Sequence, residues 1–207
     1  MHVVIEDVGF SYRNRHVFSG LQAIFHENEV TALVGPSGSG KSSLLAAIAG
    51  FTEPTQGAIW LVANDDRLRP RPAAVSWIAQ GAIVLNARTS LDNVLLGPLS
   101  EGKTHEEAVE LGMRALDDVG LSERAGSLCS TLSGGERQRV AVARSLASSR
   151  PLILADEPSA GLDEANTRGL SHLFTTLRRT ATVIIATHDP VMIDAADDVI
   201  NLRSSTR

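Results

Sequence analysis

One cysteine, Cys129, stands in 207 residues, so no internal disulfide can form; the chain suits a reducing cytosol, and packing is the expected role of that thiol. No run approaches the roughly eighteen apolar residues of a membrane span. The opening MHVVIEDV has neither the basic end nor the long apolar core of a signal peptide. Positive charge is scarce too: the net charge of −5 argues against a nucleic-acid duplex as principal partner, because phosphate neutralisation needs a clustered basic surface. The short basic stretch of Arg67, Arg69 and Arg71 is interleaved with Pro70 and Pro72 and follows two aspartates, a composition that predicts a solvated loop. Repeats, heptad arrays and low-complexity segments are missing. What is present is a hydrophobic content of 43%, enough to bury the core of one large domain or of a core with a smaller lobe.

Strand-like and helix-like segments alternate in the way that builds a mostly parallel sheet covered by helices. Two regions depart from that rhythm. The first thirty residues hold short β-type stretches with no helix between them, which predicts an antiparallel sheet beside the main one. Residues 83–147 are helix-rich with few β-branched runs and are expected to form an inserted helical subdomain. The division is therefore 1–82 with 148–207 as the core and its antiparallel β subdomain, and 83–147 as the helical part. A Rossmann-like centre (30–78 with 151–202) would be split in sequence and continuous in space.

Two anion-holding sequences carry the chemistry. Gly35, Pro36, Ser37, Gly38, Ser39, Gly40, Lys41 and Ser42, continued by Ser43, fit the phosphate-loop pattern, in which glycines let backbone N–H groups turn inward around a triphosphate and a lysine reaches its outer phosphates. The strand candidate VTALV precedes the loop and a helix candidate over 42–49 follows, so anionic oxygens would sit at a helix N-terminus. The Ser42 hydroxyl is placed to bind Mg²⁺. About ninety residues later, Ser133, Gly134, Gly135 and Glu136 read as a capping box that starts a helix. Two glycines in a first turn cost about 1 kcal/mol each in helix propensity. That loss implies that something approaches this backbone closely, and a docked anion would account for it.

An apolar strand over 152–155 stops at Asp156 and Glu157, so two carboxylates emerge at the C-terminal edge of the sheet, where open α/β folds bind ligands. Neighbouring residues on a strand face opposite ways, and Pro158 disfavours helix at Glu157, so the two acids are expected to have separate tasks. Asp156 would hold the Mg²⁺ shell and Glu157 would polarise a water.

Together these residues resemble the ATP-binding cassette (ABC) family, in family order over nearly the whole chain. The resemblance implies a P-loop NTPase core of the α/β class, an ATPase activity, and ATP with Mg²⁺ as ligands. It implies that Tyr12, 29 residues before Lys41, stacks on adenine. Gln80 would contact Mg²⁺ and the attacking water, Glu157 would be the general base, and His188 would steady the γ-phosphate. LSGGERQRV matches the family signature, and Ser159 to Asp163 (SAGLD) the loop that crosses to a partner subunit, with Asp163 at its end. The implied assembly is a head-to-tail pair, a homodimer in the simplest case, with each ATP between the phosphate loop of one copy and the Ser133 helix start of the other. The implied setting is the cytoplasmic face of a membrane, reached only through a transmembrane permease subunit, with export favoured over import. Residues Ser90 to Val94 resemble the region that receives a coupling helix, which predicts a docking groove between Gln80 and Gly97. The alternative for that segment is an ordinary helix start capped by Ser90. The rival functions are a soluble ABC ATPase outside transport and a regulatory nucleotide-binding module; neither a long coiled coil nor a second cassette supports the first, and Glu157 with His188 disfavours the second. The stretch between Gly57 and Gln80 is shorter than the family pattern, with Arg69 to Pro72 in place of part of a small helical stretch.

Overall fold

The computed structural model describes residues 1–12, 15–81, 83–178 and 180–202. They divide into two compact units, the first comprising Met1–Trp77, Arg150–Asp156 and the described residues from Phe174 onward, the second Ile78–Ser149 and Glu157–Leu173.

In the first unit, β1 (His2–Tyr12) and β2 (Arg15–Phe25) pair antiparallel, and β1 pairs antiparallel with β4 (Gln56–Ala63), which carries the short edge strand β5 (Asp66–Leu68). The expected antiparallel sheet is thus present in the order β2-β1-β4-β5. Alternation buries Val3 and Ile5 and exposes Glu6. A bulge at left-handed Asp7 (φ 51°) then shifts the phase so that Val8 and Phe10 also point inward. Gly57 faces that bulge: at φ 77° a Cβ on it would lie 2.3 Å from the carbonyl oxygens of Glu6 and Asp7, so only glycine fits. Of the stretch expected to be a solvated loop, Arg67 falls on the exposed edge strand β5 and residues 69–71 follow it without regular structure, with the guanidinium groups of Arg67 and Arg69 5.1 and 4.3 Å from the Trp60 ring centroid.

The second sheet of the chain has the order β6-β7-β8-β3-β9, built from β3 (Val30–Val34), β6 (Val75–Ile78), β7 (Leu152–Asp156), β8 (Thr182–Ala186) and β9 (Asp198–Asn201). β7 with β8, β8 with β3, and β3 with β9 are parallel. Every residue of β7 and β8 is buried, as expected of strands covered on both faces. Helix α1 (Lys41–Ile48) follows β3 and buries Leu44, Leu45, Ala47 and Ile48 in an apolar cluster shared with Ile5, Phe25, Leu61, Leu154 and Ile184. Each such leucine, isoleucine or phenylalanine side chain contributes about 1.5–3 kcal/mol. Gly50 at φ 77° ends the helix.

The second unit is helical: α2 (Ser90–Ser100), α3 (His105–Asp118) and α4 (Gly134–Leu146) pack on one another. It also takes in Glu157–Leu173, beyond the 83–147 read from sequence. The reason is local: Arg139 on α4 donates to Asn166 Oδ1 at 2.8 Å, and Leu162 Cδ2 lies 3.3 Å from where a Cβ on Gly135 would stand. Helix α5 (Glu164–Leu177) therefore begins in the second unit and ends in the first, and the short α6 (Pro190–Asp194) belongs to the first.

Candidate functional site

The phosphate loop joins the buried end of β3 to α1. Gly38 and Gly40 have φ of 77° and 98°, turning successive amides inward. Gly40 is the N-cap of α1, with no side-chain cap and no acid in the first turn. Helices α2, α3 and α4 by contrast carry capping boxes made by Thr89 with Asp92, Thr104 with Glu107 and Ser133 with Glu136. The α1 start thus keeps its amide ends and positive dipole for an anion from outside. Lys41 arches back over the loop, its Nζ donating to the Gly35 and Pro36 carbonyls at 2.8 and 3.3 Å. Gly38 and Ser42 are exposed, whereas Ser39 is 1% exposed and its hydroxyl has no partner among the described residues. The Ser39 amide is engaged within the loop, donating to the Pro36 carbonyl at 3.1 Å.

Tyr12 is 51% exposed and stacks near-parallel on Phe10 with centroids 6.4 Å apart. Its hydroxyl donates to Ser43 Oγ at 3.0 Å, which fixes an aromatic face beside the first turn of α1.

Strand register fixes the other edge groups of the first unit. Leu33, Ala186 and Asp156 lie in line across β3, β8 and β7, so neighbours are about 4.8 Å apart. The phosphate loop starts two residues past Leu33, and exposed His188 stands two past Ala186. Its turn is held by the Thr187 amide on the Leu33 carbonyl (3.2 Å) and by the Asp189 amide on Thr187 Oγ1 (3.0 Å). Asp156 is 6% exposed, a nearly buried anion at the sheet edge. A divalent cation fits the chemistry of the first unit: the hydroxyl of Ser42 and the carboxylate of Asp156 are hard oxygen donors, and no group of three His, Cys, Asp or Glu that could hold a metal occurs among the described residues. A single carboxylate completed by phosphate oxygens is the usual Mg²⁺ arrangement. Glu157 leaves the strand at once, with φ 47°, a left-handed conformation that costs a non-glycine residue of order 1 kcal/mol or more.

In the second unit Gln80 is exposed in a bend after β6. Ser133 and Glu136 cap α4 reciprocally: the Ser133 amide donates to Glu136 Oε2 (2.8 Å) and the Glu136 amide to Ser133 Oγ (3.2 Å). These bonds from the Ser133 backbone and side chain hold the Glu136 carboxyl below its ordinary pKa, and Arg124 (3.7 Å) adds to the effect. A Cβ on Gly134 would meet nothing within 4 Å, so its own fold does not require glycine there. Asp163 accepts from the Asn166 amide at 2.8 Å and through both oxygens from the Asn166 side chain, so its carboxylate serves as the cap of α5.

The docking segment needs correction. Thr89, not Ser90, caps α2, and Ser90, Asn93 and Val94 are fully buried, so three of the five residues expected to receive a coupling helix have no surface to offer. Exposed apolar residues lie upstream, Ile83 at 64% and Leu85 at 50%, and downstream on α2, Leu96 at 40% and Leu99 at 42%. Asn93, Arg144 and Asn166 make contacts that their sequence positions do not announce, whereas the Thr-x-x-Asp spacing of Thr89 and Asp92 signals the start of α2.

A strand, an inward-turned glycine loop and an uncapped helix start, with a carboxylate at the end of β7 one strand removed, define a P-loop nucleotide-binding domain. The sequence profile described as ABC transporter matches residues 18–160, and the chain belongs to that family of ATP-hydrolysing cassettes. It is 37% identical over 212 residues to the lipoprotein-releasing system ATP-binding protein LolD of Pseudomonas fluorescens, covering 95% of this chain and 92% of that one. It is 34% identical to the macrolide export ATP-binding/permease protein MacB of Rhodopirellula baltica, over 90% of this chain and 29% of that one. Among solved structures it is similar to the dimeric post-hydrolysis state of the ATP-binding cassette MJ0796 bound to ADP and Pi, with a TM-score of 0.86, 26% identity and coverage of 99% and 97%.

Proposed function

We propose that the chain is the ATPase subunit of an outward-directed transporter, in which two copies close head to tail over two ATP and so drive a permease that extracts an amphiphilic cargo of the lipoprotein kind from a membrane. The names of the relatives at 37% and 34% identity support this direction and cargo, and the dimeric cassette supports the pairing. In this reading the chain works at the cytoplasmic face of a membrane, held there by the permease; among the described residues no helix is long and apolar enough to cross a membrane.

In this reading the α1 N-terminus and Lys41 bind the β- and γ-phosphates, and Tyr12 stacks on the base. Ser42, Asp156 and Gln80 would hold Mg²⁺, which supplies charge neutralisation to the phosphates when bound. Glu157 takes a proton from water as the water oxygen bonds to the γ-phosphorus and the bond to the bridging oxygen breaks. His188 donates to the γ-phosphate oxygens as charge gathers there. Ser133 and the Gly134 and Gly135 amides close the pocket of the other copy.

Gly134 is the observation that carries the pairing. A Cβ there meets nothing within 4 Å in its own chain and a side chain improves helix propensity by about 1 kcal/mol, so the chain alone has no reason to keep glycine. A ligand brought by a second copy supplies the reason. Gly134→Leu is therefore expected to keep or raise the melting temperature while abolishing ATP hydrolysis and ATP-driven dimers in size-exclusion chromatography. Full turnover in that variant would contradict the pairing.

A further inference from the structure

The segment that follows Gln80 has no regular structure over residues 83–85 and leaves Ile83 and Leu85 exposed, yet its backbone is tied down from several sides within the second unit. Asn93 on α2, fully buried, treats Leu85 as a strand partner would: its Oδ1 accepts from the Leu85 amide at 2.7 Å and its Nδ2 donates to the Leu85 carbonyl at 3.1 Å. Further along, the Ser130 amide donates to the Asn86 carbonyl and the Cys129 amide to the Arg88 carbonyl, each at 3.0 Å. On the other side, Arg144 Nη2 donates to the Ile83 carbonyl at 2.9 Å.

Arg144 and the signature share one helix. Ten residues of α4 separate Gly134 from Arg144, a rod of about 15 Å at 1.5 Å rise per residue. α4 is seated at its far end as well, since a Cβ on Gly97 of α2 would lie 2.8 Å from the Arg144 carbonyl oxygen, leaving no room for a side chain. The rod cannot shift at its N-terminus without moving the guanidinium at its C-terminal end. That guanidinium grips the backbone three residues beyond Gln80.

We infer that Arg144 is a positioning residue that carries the state of the Ser133 to Gly135 helix start to the Ile83 and Leu85 segment through its bond to the Ile83 carbonyl. The inference rests on the proposed function in taking that helix start to receive the ATP of a second copy. Asn93 holds Leu85 to α2, and Arg144 holds Ile83 to α4. A closed signature would thus present Ile83 and Leu85 differently from an open one, at the surface that a membrane partner would touch.

A nitroxide spin label tests this. Ile83 is exposed, and the only native cysteine, Cys129, is fully buried with burial raising its thiol pKa, so I83C takes the label selectively. Without nucleotide, Arg144→Met is expected to at least double the label's mobility, Arg144→Lys to restore most of the order, and a label at exposed Met113 on α3 to stay unchanged in both. In a Glu157→Gln background, ATP is expected to shift the spectrum at position 83 when Arg144 is present and to leave it unshifted in Arg144→Met, although size-exclusion chromatography shows the ATP-bound dimer in both. Equal mobility at 83 with and without Arg144, or an equal ATP shift in both chains, overturns the inference. Equal loosening at 83 and 113 reduces Arg144 to a general stabiliser and overturns it too. Absence of any ATP dimer in the Arg144 chain contradicts the pairing of two copies instead, and the nucleotide-free arm still decides whether Arg144 holds the segment.

Discussion

The Tyr12 hydroxyl donates to Ser43 Oγ across 3.0 Å, joining the end of β1 to the first turn of the phosphate-loop helix. The aromatic face is thereby set before any nucleotide arrives, with Phe10 stacked behind it. Two contributions can be separated. Tyr12→Phe keeps the ring and loses the bond, and is expected to weaken ATP binding two- to threefold, corresponding to about 0.5 kcal/mol. Tyr12→Ala also loses base stacking, worth about 1–3 kcal/mol, so Kd should rise roughly ten- to three-hundredfold. Titration calorimetry with ATP distinguishes these values; equal losses would remove the base-stacking role.

Ser39 and Ser42 are close in sequence and opposite in exposure, and their alanine variants should part company. Ser39→Ala removes a buried hydroxyl with no partner, so stability should be unchanged or rise by about 1 kcal/mol with ATP affinity kept. Ser42→Ala removes an exposed donor at the helix start and should abolish the Mg²⁺ dependence of binding. Thermal melts and ATP titrations with and without Mg²⁺ check both.

The caps of α2, α3 and α4 depend on ionised Asp92, Glu107 and Glu136, whose pKa values lie below the ordinary 3.8 and 4.5. Hydrogen bonds from the cap residues Thr89, Thr104 and Ser133 are the main cause in each case. A carboxyl with a depressed folded pKa gives its full stabilisation above the unfolded pKa and loses it as pH falls through the folded one. Stability should therefore be flat around neutrality and fall on acidification below those ordinary values. The combined variant Asp92→Asn, Glu107→Gln, Glu136→Gln should start lower and show a shallower fall, measured by urea unfolding at a series of pH values.

Glu157 is held in a left-handed turn at the end of a fully buried strand, a placement that suits a positioned base. Glu157→Gln is expected to slow turnover by about 10²–10⁴, the usual worth of general-base help, while ATP binding and the ATP-bound dimer persist. Steady-state phosphate release and size-exclusion chromatography report the two sides. Full residual turnover would refute the assignment.

Much of this was legible in residue patterns, because apolar runs and glycine spacing encode local geometry directly. The strand VTALV falls on Val30–Val34, the loop glycines take their left-handed angles, and the capping box at Ser133 closes as read. What escaped notice depends on contacts between distant segments. The Trp60 ring that turns Arg67 and Arg69 into neighbours of a sheet sits on another strand. Asn93 looks like any polar helix residue until Leu85 is folded against it. The alternative reading of the Ser90 to Val94 segment, a helix start capped by Ser90, is displaced by one residue, because Thr89 has the acid at the right spacing. The carboxylate of Asp163, read as part of a crossing loop, caps α5 through Asn166.

The shared pocket is tested most directly by mixing two inactive chains. Lys41→Ala should fail to bind the phosphates, and Gly134→Leu should fail to close over those of its partner, so each alone should release no phosphate. Mixed at equal amounts with ATP, a Lys41→Ala copy can lend its intact Ser133 helix start to the intact phosphate loop of a Gly134→Leu copy, and ATPase activity should reappear, rising with total protein concentration. Hydrolysis at the unmodified rate by Gly134→Leu alone, independent of concentration, would contradict the account.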